Sequence, residues 1–94
     1  MLRVTLMSRS RGRAVLRLDG SIADEGVELL ARSVGNHLRA GRLLALELDG
    51  VSHIDAKGLA LIEAWPAAQR KLYGGSAYVR LLLAERRLAV TDEP

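Results

Sequence analysis

The sequence predicts an α/β fold in which helices pack on a mixed β-sheet. Two observations indicate this class. Segments with alternating apolar residues are interleaved with segments of helical periodicity. A nearly continuous apolar run at residues 43–48 is typical of a central strand that is buried on both faces. Because 94 residues is the length of one domain, we assign residues 1–94 to a single domain with an uncertain tail at 84–94.

The first two predicted elements are strands joined by a hairpin. Apolar side chains alternate with other residues over 2–7 and again over 13–18, which is the period of half-buried strands. Residues 8–12 between them are polar and contain one glycine, as turns do. These two strands should therefore pair antiparallel.

A helix is predicted next. Apolar residues from Val27 to Leu38 recur at helical spacing. Asp24, Glu25 and Glu28 place negative charge at its start, where the helix dipole favours it. Gly41 follows as a helix-ending residue.

The second half of the chain predicts a buried strand at 43–48, a loop at 49–55, a helix from 56 to about 73 and a fourth strand at 77–83. Trp65 falls on the apolar stripe of that helix and is expected in the core. Pro66 should either kink the helix or break it. The order is ββαβαβ, with parallel crossovers that place helices on the sheet. The tail remains open between a short helix and a return strand through Leu88 and Val90.

Composition excludes several kinds of site. There is no cysteine, so disulfides, thiolate metal sites and cysteine nucleophiles are excluded. No apolar run approaches the roughly 18 residues of a membrane helix, and no signal peptide is apparent. We therefore expect a cytoplasmic protein without membrane insertion.

The charge is basic, with a net value of +3 and a pI near 10. Five arginines lie in the first twenty residues, and Arg3, Arg13 and Arg17 are expected to share one sheet face. Such a strip could contact nucleic acid or an anionic surface, and that class of function is kept as an alternative. No aromatic residues accompany it for stacking, so we favour a solvated face and expect no nucleic-acid binding.

The most informative segment is residues 48–62, where a buried strand, a loop and the start of a helix follow one another. It resembles the STAS family of anti-sigma factor antagonists, whose signature is a Gly-Val-x-x-Ile-Asp-Ser-Ser-Gly-Leu type of loop. A second likeness lies in residues 18–22, before the first helix, and the resemblance spans about residues 3–83. The matching residues of the loop are Gly50, Val51, Ile54, Asp55, Gly58 and Leu59.

The resemblance implies a STAS-like fold with a shortened C-terminus and a surface that binds a protein partner. In the family, a Ser or Thr after the Asp is often phosphorylated by the cognate kinase, which breaks the complex. Here that position is Ala56, so the phosphosite is lost. Lys57 follows in place of a second Ser, and Ala23 replaces an acidic residue of the earlier loop.

Other chemistry has weaker support from these residues. Asp55 is best interpreted as a helix N-cap, and His53 as a loop residue, because no acidic cluster accompanies it. Ser52 is interpreted as a plain loop hydroxyl. Gly74 and Gly75 indicate a turn, since no phosphate-binding glycine motif is present. We assign no catalytic residue, metal ligand or cofactor site.

The sequence thus predicts a bacterial, non-enzymatic protein-binding module for transcription regulation and signalling. The expected partner is an anti-sigma factor; the alternative is a subunit of a lipid-transport ABC system that this chain would accompany as a STAS-type accessory subunit. A homodimer is a further expectation, because pairing would cover an open sheet edge. The expected partner-binding residues are Ser52, His53, Asp55, Ala56, Lys57 and Gly58.

Overall fold

A computed structural model describes residues 1–93 and shows a five-stranded sheet. The strands lie side by side in chain order. β1 pairs antiparallel with β2, and the remaining neighbours pair parallel. The predicted α/β class with a mixed sheet is therefore confirmed. The strands are β1 (Leu2–Arg9), β2 (Arg13–Ile22), β3 (Leu43–Ile54), β4 (Arg70–Tyr73) and β5 (Val90–Thr91).

Three helices connect the parallel strands: α1 (Glu25–Arg39), α2 (Ala56–Ala64) and α3 (Ala77–Glu85). Each crossover moves one strand further in the same direction, so right-handed connections place all three helices on one face of the sheet. The core lies between that face and the helices. It is largely aliphatic, and its fully buried side chains include Leu18, Leu30, Leu44, Leu46, Ile62, Leu72, Val79 and Leu83.

The opposite face of the sheet, here called the outer face, is covered by no helix of residues 1–93. Arg3, Thr5, Arg17 and Asp19 face one another across β1 and β2 on this side, and Arg13 lies further along β2. The predicted sharing of one face by Arg3, Arg13 and Arg17 is thus confirmed.

Helix α2 is shorter than predicted. It ends at Ala64, Trp65 is extended, and Pro66 leads into a single 3₁₀ turn, Ala67–Gln69. The predicted helix to about residue 73 is therefore wrong, and Pro66 breaks the helix. Trp65 is buried in the core, as expected.

The guanidinium of Arg70 stabilises this break. Its Nη1 donates to the carbonyl oxygens of Ile62 at 3.1 Å and of Trp65 at 2.9 Å. Carbonyl groups at a helix end need such partners, because no further turn supplies N–H groups to them. The chain can then turn directly into β4.

The fourth strand is therefore Arg70–Tyr73, and the predicted strand at 77–83 is wrong. Those residues form α3, which Ser76 caps by accepting from the N–H of Val79 at 3.1 Å. Of the two alternatives for the tail, the structure supports the strand, since β5 pairs parallel with β4. Gly74 and Gly75, predicted as a turn, lie with positive φ in the short connection between β4 and α3.

Two strands extend further than the sequence pattern indicates. β2 continues to Ile22, and β3 includes most of the residues predicted as a loop at 49–55. The register between β2 and β3 shifts twice near this end. Such irregularities let a strand continue after its alternation of apolar residues is lost.

Candidate functional site

The candidate site lies where the carboxyl ends of β2, β3 and β4 meet the starts of α1, α2 and α3. In open α/β sheets this edge collects the loops that bind ligands and partners. All six predicted site residues belong to one continuous segment here, at the end of β3 and the first turn of α2. We call residues 52–58 the docking segment.

Asp55 caps α2, as predicted. Its backbone is extended, and its Oδ1 accepts from the N–H of Gly58 at 2.7 Å. Its Oδ2 lies 3.4 Å from the N–H of Asp24, at the start of α1. One carboxylate therefore serves the starts of two helices, which favours a fixed arrangement of this edge.

Gly58 allows α2 to begin close against the sheet. A Cβ at this position would lie 2.7 Å from the carbonyl oxygen of Ile22 and 2.9 Å from Cγ2 of both Ile22 and Ile54. These distances are too short for any side chain. Gly58 is accordingly buried and shapes the site through packing.

The side chains available to a partner come from four of the six predicted residues. Ser52, Ala56 and Lys57 are exposed, and His53 is half-buried; Asp55 is also half-buried, but its carboxylate is engaged in the cap of α2. Lys57 lies in the first turn of α2, where the helix dipole disfavours a cation and where α2 has no acidic residue. The dipole of α2 therefore gives no reason for a cation at this place.

One neighbour of the docking segment was not predicted. Nδ1 of His53 and the hydroxyl of Tyr78 share a hydrogen bond of 2.7 Å, and the two rings stack with centroids 5.8 Å apart. Tyr78 lies at the start of α3 and is exposed. The sequence carries no signal for this pairing, because its alternating pattern predicts that residue 78 lies on a strand.

A second contact fixes the turn beside the site. Oδ1 of Asp49 accepts from the N–H of Gly75 at 2.8 Å. Gly74 precedes it with a φ of 73°, a conformation that favours glycine. The starts of α1 and α2 are thus both held by Asp55, and the connection before α3 is held by Asp49 of β3.

Residues 1–93 contain no group of three or more His, Cys, Asp or Glu side chains placed to hold a metal ion. None of the helices there combines the length and the apolar character that crossing a membrane requires.

Comparison with known proteins identifies the fold. No protein-family profile and no curated protein sequence matches this chain. Among solved structures, the chain is similar to the anti-sigma factor antagonist SpoIIAA in its unphosphorylated form, with a TM-score of 0.74 and 23% sequence identity. The match covers 92% of this chain and 82% of that chain. The fold expected from the loop at residues 50–59 is thereby confirmed, and the chain has a STAS-like fold.

Proposed function

We propose that this protein is a non-enzymatic interaction module that binds an anti-sigma factor through its docking segment. The carrying observation is the position of Lys57 on a STAS-like fold. It is an exposed cation in the first turn of α2, against the preference of the helix dipole. An acidic side chain of a partner would pair with this exposed ammonium group.

The rigidity of the segment supports the same proposal. The cap by Asp55 and the close approach at Gly58 fix the backbone before any partner arrives. A preorganised surface loses little conformational entropy on binding. Ser52, His53, Ala56 and Lys57 would then form the contact surface, while Asp55 and Gly58 hold its shape.

Binding to a purified anti-sigma factor encoded near this gene tests the proposal. We expect Lys57→Glu to weaken binding by about tenfold or more, as charge reversal at an interface does. The matched control is Arg11→Glu, an equal change of charge in the exposed β1–β2 turn. Calorimetry should show wild-type affinity for the control.

Two results would overturn the proposal. Equal affinities of both variants would remove the docking segment from the interface. Binding to an ABC-transporter subunit but to no anti-sigma factor would instead support the alternative function, that of an accessory subunit of a lipid-transport ABC system.

We further propose that no phosphorylation at the docking segment switches this binding. Ala56 is exposed at the first position of α2 but has no hydroxyl. Incubation with ATP and a kinase-type partner should leave the segment unmodified by mass spectrometry. The variant Ala56→Ser serves as the positive control, since it places a hydroxyl at the helix start, where a phosphate is favoured. Phosphate on Ser52 of the wild type would contradict this expectation.

A further inference from the structure

The outer edge of β1 is open. This strand has eight residues and pairs with β2 on one side only, and no strand of residues 1–93 pairs with its other side. Of the five large apolar side chains that are exposed within residues 1–93, three lie on or beside this strand. They are Met1, Leu6 and Met7. An edge with exposed apolar side chains is a template for pairing with another strand.

The hydrogen bonding of β1 shows which backbone groups face outward. The N–H of Ser21 donates to the carbonyl oxygen of Met1 at 3.1 Å. In an antiparallel ladder, hydrogen-bonded pairs alternate with pairs whose N–H and C=O groups point away. By this alternation Arg3 and Thr5 bond to β2, while Leu2, Val4 and Leu6 present their backbone groups to the open edge.

We propose that a second copy of this chain pairs antiparallel with β1 about a two-fold axis at Val4. This register places Leu2 opposite Leu6 of the second copy on the helical side of the sheet. On the outer face it places Arg3 opposite Thr5, so the arginines of the two copies do not meet. Such an interface is isologous and closes after two chains.

Neighbouring registers are less favourable. An axis at Arg3 would set the two Arg3 side chains directly opposite each other, and like charges in that position are destabilising. An axis at Thr5 would set Met1 opposite Arg9 and Leu2 opposite Ser8, so each of these apolar side chains would face a polar one. Of these three axes, the one at Val4 sets Met1 opposite Met7, so that both exposed methionines face an apolar side chain.

A groove provides an independent observation for the same register. It has a volume of about 380 Å³ and lies between the start of β1 and α1, lined by Met1, Leu2, Glu25, Gly26, Leu29 and Arg32. The side chain of Leu6 is 48% exposed in the single chain. With the axis at Val4, Leu6 of the second copy stands opposite Leu2 and enters this groove.

The dimer would leave the docking segment accessible. β2 separates β1 from β3, and the docking segment follows β3. Pairing at β1 therefore extends the sheet away from the proposed partner surface. Dimerisation and partner binding can accordingly be measured separately.

Sedimentation equilibrium over a range of protein concentrations tests the proposal. We expect the wild type to reach twice the 10.2 kDa of one chain. Leu6→Lys should weaken association by about tenfold or more, because it removes the side chain that fills the groove. The control Leu81→Lys makes the same change at an exposed leucine of α3 and should associate like the wild type. A single-chain mass at every concentration, or equal effects of both variants, would overturn the proposal.

Variants of Thr5 test the register itself. In the dimer, residue 5 of each copy faces Arg3 of the other, so the substitution Thr5→Glu creates two pairs of opposite charge. We expect it to tighten association by about threefold or more, whereas Thr5→Lys should weaken association. Because Thr5 also faces Arg17 of its own chain, thermal unfolding is measured for each variant as the control for stability. Equal dissociation constants for the two variants would contradict the axis at Val4.

Hydrogen exchange distinguishes edge pairing from any other dimer. Exchange of the amides of Leu2, Val4 and Leu6 should slow as protein concentration rises. The amides of Arg3 and Thr5, which bond to β2, should show no such dependence. Identical behaviour of the two sets would exclude this edge as the interface.

Discussion

Gly58 decides at the residue scale how closely α2 approaches the sheet. A Cβ there would meet the backbone carbonyl oxygen of Ile22, which already accepts from the N–H of Asp55 at 3.1 Å. Backbone atoms in a parallel strand pair cannot move aside as a flexible side chain can. The substitution would therefore displace the docking segment as well as the helix.

We expect Gly58→Ala to lower the free energy of unfolding by about 1–3 kcal/mol, the usual cost of overpacking. The control is Gly12→Ala, because nothing lies within 4 Å of a Cβ at Gly12. That change should stay within about 0.5 kcal/mol of the wild type. Urea denaturation measures both, and equal stability of the two variants would contradict this account.

At the scale of elements, His37 and Arg42 join the end of α1 to the start of β3. Nη1 of Arg42 donates to Nδ1 of His37 at 3.2 Å, and its Nε donates to the carbonyl oxygen of Ser10 in the β1–β2 turn at 3.1 Å. Since a guanidinium can only donate, Nδ1 must be unprotonated. Burial lowers the pKa of His37, and the positive charges of Arg42 and Arg9 lower it further.

The contact between His37 and Arg42 predicts that the folded protein loses stability in mild acid. The unfolded chain takes up a proton on this histidine near its ordinary pKa of about 6.5, while the folded chain does so only at lower pH. The stabilisation is therefore complete above about pH 6.5 and decreases as the pH falls below that value. Urea midpoints should fall between about pH 7 and 5.5. The variant His37→Gln, which lacks a titrating group, should show a smaller fall, and an equal fall would contradict the assignment.

α3 is the element for which the local sequence pattern predicts the wrong secondary structure. Residues 77–83 alternate in a way that fits a strand, but Val79 and Leu83 also lie four residues apart and fit one face of a helix. The structure buries these two and leaves Leu81 59% exposed. Seven residues are too few to distinguish the period of a strand from the period of a helix unless it is known which element packs against β3.

At the scale of the whole molecule, the outer face carries most of the N-terminal arginines. These charges are mixed with acidic ones: Nε of Arg17 lies 3.4 Å from Oε1 of Glu47, and Asp19 faces Arg3. Tyr73 is buried on this face, where burial and the charge of Glu47 raise the pKa of its hydroxyl. The face therefore offers no exposed aromatic ring for stacking on bases.

We accordingly expect no nucleic-acid binding by this face. An electrophoretic mobility assay at low salt should show no shift of single- or double-stranded DNA. Binding driven by charge would appear there first and weaken steeply as salt rises. A shift with that salt dependence, lost in the variant Arg13→Glu, would assign the outer face to nucleic acid instead.

The sequence alone determined the α/β class, the presence and order of the first three strands, α1 and the cap by Asp55. Each of these depends on a local pattern. The strands and α1 have runs of apolar residues long enough to show a single clear period, and the cap is a carboxylate directly before a helix. The role of Gly58 could also be predicted from the sequence, because a helix that begins close to a sheet favours a residue without a side chain.

Only the tertiary structure decided where β4 lies, that residues 77–85 form α3, and that Tyr78 meets His53. The reason is physical: β4 has four residues, too few to carry a pattern of their own, and becomes a strand because β3 offers it a parallel edge after the break at Pro66. Once β4 is placed there, the following segment must cross back over the sheet as a helix. That crossover brings the start of α3, and with it Tyr78, to the docking segment.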